Sequence, residues 1–129
     1  MNSILNSLSH TIIGGALRVH RELGPGLLES AYEKCLVHEL RLAGLTVDRQ
    51  RPLSVCYRDL VIERAYIADI VVNDAIVVEV KTVEELTDVH RAQVLTQLKW
   101  TKLSLGLLLN FNVKLLRDGI RRVVRGLPD

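Results

Sequence analysis

Hydrophobic residues recur at helical spacing over the first third of the chain. In residues 3–22 they fall on one broad helical face, and a Gly-Pro-Gly sequence at residues 24–26 then forces a turn. A second helix is predicted over residues 27–43, because Gly44 directly after it is a favourable residue for ending a helix. The chain therefore begins with two helices joined by a short loop.

Alternating and continuous apolar runs follow, and they predict strands. Arg58 and Asp59 supply a turn between the first two strands, and Asp118 and Gly119 supply a hairpin turn before the last one. A third helix is predicted from residue 87 or 88 to residue 102. The predicted extended segments are residues 46–57, 60–66, 67–72, 76–81, 103–112 and 120–125.

Two of the most apolar strands carry an acid at a position where a buried strand should have none. Asp69 interrupts the run over residues 67–72, and Glu79 interrupts the run over residues 76–81, with Lys81 two residues later. Runs this rich in Val and Ile mark strands that are covered on both faces. A charge there is costly unless it is paired or binds a metal. A simpler explanation is a sheet with one wet face, since short patterns of this kind also arise by chance.

The length of the turn between these strands decides whether the two acids meet. A two-residue turn at Asn73-Asp74 would place Asp69 opposite Val78 and would turn Glu79 to the other side of the sheet. A three-residue loop over residues 73–75 places Asp69 directly across from Glu79, and Asn and Asp tolerate the left-handed backbone that such a loop needs. Opposed carboxylates repel each other. They would form a site for a divalent cation such as Mg²⁺, with the Lys81 ammonium on the same face.

Two acids also fall on the apolar face of the second helix. Glu29 stands in the first turn, where the helix dipole favours an acid, and Glu39 lies near the centre of the face, where it could pair with an arginine. The functional alternative is that this face covers the Asp69/Glu79 pair and that Glu29 reaches it.

The third helix is apolar around much of its circumference, apart from one narrow stripe that contains His90, Gln93, Gln97 and Trp100. Amide side chains in a mostly buried helix need hydrogen-bond partners. The stripe is either the solvent-exposed face of the helix or a border of the metal site that contacts a phosphate or a base.

Composition narrows the class of protein. The chain has 129 residues, 48% hydrophobic and 25% charged, which is typical of one globular domain spanning residues 1–129. A net charge of +2 does not by itself indicate a nucleic-acid-binding protein, although basic residues gather near the C-terminus as either a phosphate-binding patch or a solvated edge. Cys35 and Cys56 are expected to be small core residues in a reducing compartment. No signal peptide or membrane span is expected, so we predict a cytoplasmic protein without a membrane partner.

The order of these elements, with Asp69 and the Glu79-Val80-Lys81 hairpin at its centre, resembles the PD-(D/E)XK nuclease core. Residues 26–32, GLLESAY, also resemble the GxxExxY signature of a family of small proteins in that superfamily. The resemblance covers nearly the whole chain. It implies an α/β fold in which helices flank a central mixed sheet.

The resemblance also implies a function and roles for individual residues. It implies Mg²⁺-dependent hydrolysis of nucleic acid, DNA being the expected substrate, with Mn²⁺ as a substitute ion. Asp69, Glu79, the Val80 carbonyl and Glu29 would hold the metal, and Lys81 would act beside them. Gln93 is similar to the glutamine of a QxxxY motif, but Gln97 stands where that motif has tyrosine.

The sequence leaves open whether the site is catalytically active and whether the chain acts with a partner. The stripe residues His90, Gln93 and Gln97 are the predicted substrate contacts. The alternative function is a catalytically inactive module that keeps the nuclease fold for nucleic-acid binding or protein assembly. A homodimer or another protein partner fits a chain with this little room for a specificity domain.

Overall fold

The computed structural model describes residues 2–126 and contains three α-helices, five strands and one 3₁₀ helix in that range. The helices are α1 (Asn2–Leu23), α2 (Glu29–Leu42) and α3 (Asp88–Thr101), and the 3₁₀ helix covers Leu116–Gly119. The strands are β1 (Val47–Tyr57), β2 (Leu60–Val72), β3 (Ile76–Lys81), β4 (Leu105–Asn110) and β5 (Ile120–Val124).

The strands form one mixed sheet in the order β1-β2-β3-β4-β5. Neighbouring strands run antiparallel except β3 and β4, which are parallel because α3 connects them as a crossover. β3 and β4 lie in the middle of the sheet, and all their residues except Lys81 are buried. This burial explains why the sequences of both strands are nearly continuous apolar runs.

Helices cover both faces of the sheet. One apolar cluster joins α1 and α2 to the sheet and includes Ile12, Leu36, Ile70, Val78 and Leu107. A second, smaller cluster joins α3 to the opposite face and includes Val94, Leu98, Val71, Val77 and Leu108. The mixed five-stranded sheet with its flanking helices confirms the predicted α/β fold class.

Two local predictions were wrong. Cys56 is exposed rather than part of the core, because the end of β1 extends past the helices that cover the rest of the sheet, whereas Cys35 is half-buried as a helix residue. Asp118 and Gly119 do not form a two-residue hairpin turn but end the 3₁₀ helix, and β5 starts directly after them. Within residues 2–126, no helix is long and apolar enough to cross a membrane.

Candidate active site

The β2–β3 hairpin has the three-residue loop, and its register places the two acids next to each other. Val72 pairs with Ile76 and Ile70 pairs with Val78, so the next position along each strand is Asp69 and Glu79. Asn73 and Asp74 adopt positive φ values of 52° and 50°, the left-handed conformation that the loop requires. Of the two registers that the sequence allows, the structure therefore has the one that brings the two acids together.

Asp69 is tied to the strand that carries Glu79. Its Oδ2 accepts a hydrogen bond of 3.2 Å from the backbone N–H of Val80. Since Val80 directly follows Glu79, this contact holds the Asp69 carboxyl beside the outer end of β3. The Asp69 side chain is half-buried, which leaves it within reach of solvent.

Glu79 is more deeply enclosed, with 5% of its surface exposed. Gln97 on α3 is fully buried and donates a hydrogen bond of 2.8 Å from Nε2 to Glu79 Oε1. Lys81 Nζ lies 3.2 Å from the other carboxylate oxygen, Oε2. The buried charge of Glu79 is thus compensated by one amide and one ammonium group, as burial of a charge requires.

Helix α2 contributes two more acids, Glu29 and Glu33, to the surroundings of Asp69. The charges of Glu29 and Glu33 both act on Asp69, and that of Glu29 acts on Lys81 as well. Glu33 is 4% exposed and was not recognised from the sequence. It lies one helical turn after Glu29 and therefore on the same face of α2. This spacing is the sequence signal that could have identified Glu33 as a site residue.

Glu33 has its own partners on β1. Arg49 Nε lies 3.0 Å from Glu33 Oε1, and Gln50 Nε2 donates a hydrogen bond of 2.6 Å to the same oxygen. Gln50 has a positive φ of 57°, so β1 departs from regular strand geometry at this contact. These contacts fix the Glu33 carboxylate, whose charge acts on Asp69.

The surroundings of Asp69 disfavour its ionised form. Burial, followed by repulsion from Glu79, Glu33 and Glu29, raises the pKa of its carboxyl from 3.8 to about 7. The hydrogen bond from Val80 opposes the rise without cancelling it. Perturbed acids of this kind cluster at functional sites.

Lys81 responds in the opposite sense. Burial lowers the pKa of its ammonium, but attraction by Glu79, Glu29 and Asp69 outweighs burial, so the pKa lies above its usual value. Lys81 therefore carries a positive charge at neutral pH. It can stabilise negative charge, and it is a poor acceptor of a proton.

Tyr66 on β2 also borders the site and was not recognised from the sequence. Burial raises the pKa of its phenol, as does the charge of Glu79, while the neighbouring Gln97 amide and Lys81 oppose the rise. No periodic pattern marks Tyr66, because a tyrosine at a strand position is ordinarily a packing residue.

The sequence profile of the PD-(D/E)XK nuclease superfamily matches residues 6–123, which include every residue of this site. The chain belongs to that superfamily. Membership accounts for the mixed sheet and for an acid on β2 beside a Glu-x-Lys sequence on β3, and it indicates a nuclease acting on nucleic acid. No curated protein and no solved structure matches the chain.

PD-(D/E)XK nucleases usually use divalent metal ions, which require hard oxygen ligands. Within residues 2–126, no group of three or more His, Cys, Asp or Glu side chains is arranged to hold a metal ion. The chemistry of the donors nevertheless fits a hard cation, since carboxylate oxygens are the preferred ligands of Mg²⁺. The raised pKa of Asp69 supports this fit, because a second cation beside Lys81 would relieve the repulsion that adds to the effect of burial.

The predicted substrate contacts on α3 lie in three different environments. His90 Nδ1 accepts the backbone N–H of Thr87 at 2.9 Å and thereby caps the helix. Gln93 is half-buried, and Gln97 points inward to Glu79 rather than outward. The stripe is thus not simply the solvent face of α3.

Glu39, the other acid on the apolar face of α2, takes no part in the site. It pairs with Arg18 on α1, with Nε and Oε1 3.0 Å apart. The structural explanation of Glu39, an ion-pair partner for an arginine, is therefore confirmed.

Asn110 at the end of β4 supports the backbone that follows Lys81. It pairs with Lys81 across the parallel ladder, and its side chain both donates to the Val83 carbonyl at 2.8 Å and accepts the Val83 N–H at 3.1 Å. These two bonds fix the direction in which the chain leaves β3. Asn110 is buried and belongs to the framework of the site.

Proposed function

We propose that this nuclease-superfamily chain is a Mg²⁺-dependent phosphodiester hydrolase that acts on DNA, and that Mn²⁺ can replace Mg²⁺. The observation that carries the proposal is the placement of Asp69 beside Glu79 and Lys81 together with the raised pKa of Asp69. Such a cluster has an excess of negative charge that a divalent cation would neutralise.

The proposed ligands are Asp69, Glu79, the Val80 carbonyl and Glu29. A bound divalent ion would supply positive charge for the scissile phosphate and would lower the pKa of an attacking water. Lys81, held protonated by its acidic neighbours, would stabilise the negative charge that develops on the phosphate and orient the water. Gln97 would keep Glu79 in place through its hydrogen bond.

Gln93 is the α3 residue that we propose as a substrate contact. Its Oε1 is buried and has no hydrogen-bond partner among the described residues, and the same holds for Oε1 of Gln97. Because Gln97 is already bonded to Glu79 through its Nε2, Gln93 is the amide that a donor from the substrate could satisfy. The observed hydrogen bonds of His90 and Gln97 favour supporting roles for these two residues. His90 caps α3, and Gln97 holds the carboxylate of Glu79.

We also propose that the chain belongs to the GxxExxY group of the superfamily. Tyr32, the last residue of that signature, is buried, and its hydroxyl accepts the Leu27 N–H at 3.1 Å and donates to the Gly24 carbonyl. These bonds tie the loop that directly precedes Glu29. The motif residues would then serve to place Glu29 at the start of α2.

The test is calorimetric titration of Mg²⁺ and Mn²⁺ into wild type and Asp69→Asn, followed by cleavage assays on single- and double-stranded DNA. Asp118→Asn, at an exposed position in the 3₁₀ helix, is the matched control. We expect saturable binding and cleavage in wild type and in the control, and neither in Asp69→Asn. Full cleavage by Asp69→Asn would refute the assignment of Asp69.

A second candidate function is an inactive nuclease-fold module that binds nucleic acid without cutting it. Both oxygens of Glu79 already have partners, Gln97 and Lys81, which favours a closed cluster. This function predicts no ion binding even with a short duplex present, together with DNA binding that weakens as salt rises.

A further inference from the structure

β1 and β2 extend past the rest of the sheet as a two-stranded ribbon. β3 pairs with β2 only from Val72 to Ile70, whereas β1 and β2 remain paired as far as Tyr57 and Leu60. The outermost pairs are Val55 with Ile62, Cys56 with Val61, and Tyr57 with Leu60. We refer to residues 55–62 as the arm.

Both faces of the arm carry exposed apolar side chains, and the larger face is apolar apart from the Arg58 guanidinium, which lies 5.4 Å from the centroid of the Tyr57 ring. Partners in an antiparallel pair point to the same side of a sheet and alternate positions point to opposite sides, so Val55, Tyr57, Leu60 and Ile62 share a face. Tyr57 is 62% exposed, Leu60 57% and Ile62 42%. The protein thus presents a contiguous apolar surface on a part of the sheet that its own helices leave uncovered.

Such a ribbon is poorly suited to being free in water. An isolated two-stranded hairpin is marginally stable, and contiguous exposed apolar side chains on a soluble protein usually mark an interaction surface. The residues flanking the apolar face carry two positive and two negative charges, Arg58 and Arg64 against Asp59 and Glu63. A surface with no net charge is a poor match for the phosphates of nucleic acid.

We propose that the arm is the interface of a homodimer, in which the apolar face of one copy packs against the same face of a second copy. In a two-fold contact the same surface of each copy faces the other copy, so Arg58 and Arg64 of one copy can meet Asp59 and Glu63 of the other. The balanced charges around an apolar centre match the usual anatomy of such an interface, with a polar rim around a dry core.

The size of the arm predicts a weak dimer. Stable interfaces bury roughly 800 Å² on each partner, and four side chains per copy contribute less than that. We therefore expect monomer and dimer to exchange with protein concentration. Because the contact is apolar, the dimer should persist when salt is raised to about 0.5 M, a concentration at which ionic contacts are strongly screened.

The experiment is sedimentation velocity on the full chain from low to high micromolar concentration, comparing wild type with Leu60→Lys. Leu42→Lys is the control, since Leu42 is an exposed leucine on α2, away from the arm, with 71% of its surface accessible. Circular dichroism of each variant verifies folding. We expect Leu60→Lys to raise the dimer dissociation constant by about tenfold or more, because it buries an unpaired charge, and Leu42→Lys to leave it unchanged.

Two results would overturn the proposal. Wild type that stays monomeric over the whole concentration range excludes the dimer, and a dimer that tolerates Leu60→Lys excludes the arm as its interface. None of these readouts depends on cleavage activity.

Discussion

Replacing Asp69 by Asn should stabilise the metal-free protein at alkaline pH and change little at acidic pH. Asn keeps the shape of the side chain and can still accept the Val80 N–H, but it cannot ionise. In wild type the carboxyl pKa is raised from 3.8 to about 7, chiefly by burial and then by Glu79. Ionised Asp69 is therefore a source of instability that the variant lacks.

The sign and the pH window follow from linkage. Between 3.8 and about 7 the unfolded chain has lost the Asp69 proton while the folded chain keeps it, so folding becomes less favourable as pH rises through this range. Each pKa unit corresponds to about 1.4 kcal/mol, which sets an upper limit of about 4 kcal/mol. Asp69 is only half-buried, so solvent screening should reduce the effect to about 2 kcal/mol.

The assay is urea denaturation of wild type and Asp69→Asn in EDTA between pH 4.5 and 8.5, with Asp118→Asn as the exposed control. The advantage of Asp69→Asn should grow with pH and level off above about 7, where wild-type Asp69 is ionised in both states. A difference between the two proteins that is independent of pH would show that the pKa of Asp69 is not raised, and the electrostatic argument for the site would then fail.

Three further substitutions test the contacts around Asp69. Lys81→Met should destabilise the fold by about 3 kcal/mol in urea denaturation, because it leaves Glu79 buried without its cation; an unchanged midpoint would mean that the pair is not formed. Gln97→Leu should cost about 1–3 kcal/mol and weaken ion binding in calorimetry, since Glu79 loses its 2.8 Å donor, and unaltered ion affinity would remove Gln97 from the site. Glu33→Gln should lower the pH at which Asp69 titrates, because one repelling charge is removed, and an NMR titration that finds the same midpoint would contradict this.

Much of the fold could be predicted because the local preferences of the residues for strand, helix or turn match the positions at which the fold buries or exposes them. The buried central strands read as continuous apolar runs, and Gly44, with φ of 85°, follows α2 as predicted. The hairpin register could be narrowed to two alternatives from Asn73 and Asp74. Local propensity could not choose between these alternatives, since either turn length is chemically acceptable.

The parts of the site that the sequence did not reveal depend on contacts between distant segments. Glu33 is buried because Arg49 and Gln50 reach it from β1, and nothing near Glu33 in the sequence indicates this. Gln97 was a predicted substrate contact, but its bond to Glu79 could not be predicted, because α3 is apolar around most of its circumference and the pattern does not show which side faces the sheet. Tyr66 borders the site through its position on β2, and no sequence pattern indicated that it would.

The charges of the site suggest why a protein would keep so unfavourable a cluster. Four acids act in this region: Glu29, Glu33, Asp69 and Glu79. Lys81 pairs with Glu79, and Arg49 pairs with Glu33. With all four acids ionised, a deficit of two positive charges remains, which is the charge of one divalent cation. In the metal-free protein a proton on Asp69 can supply half of that charge at neutral pH, as its pKa of about 7 allows. A proton and a metal ion are therefore competing ways to neutralise the same carboxyl group, so the burial that weakens the fold also prepares the site to bind a cation.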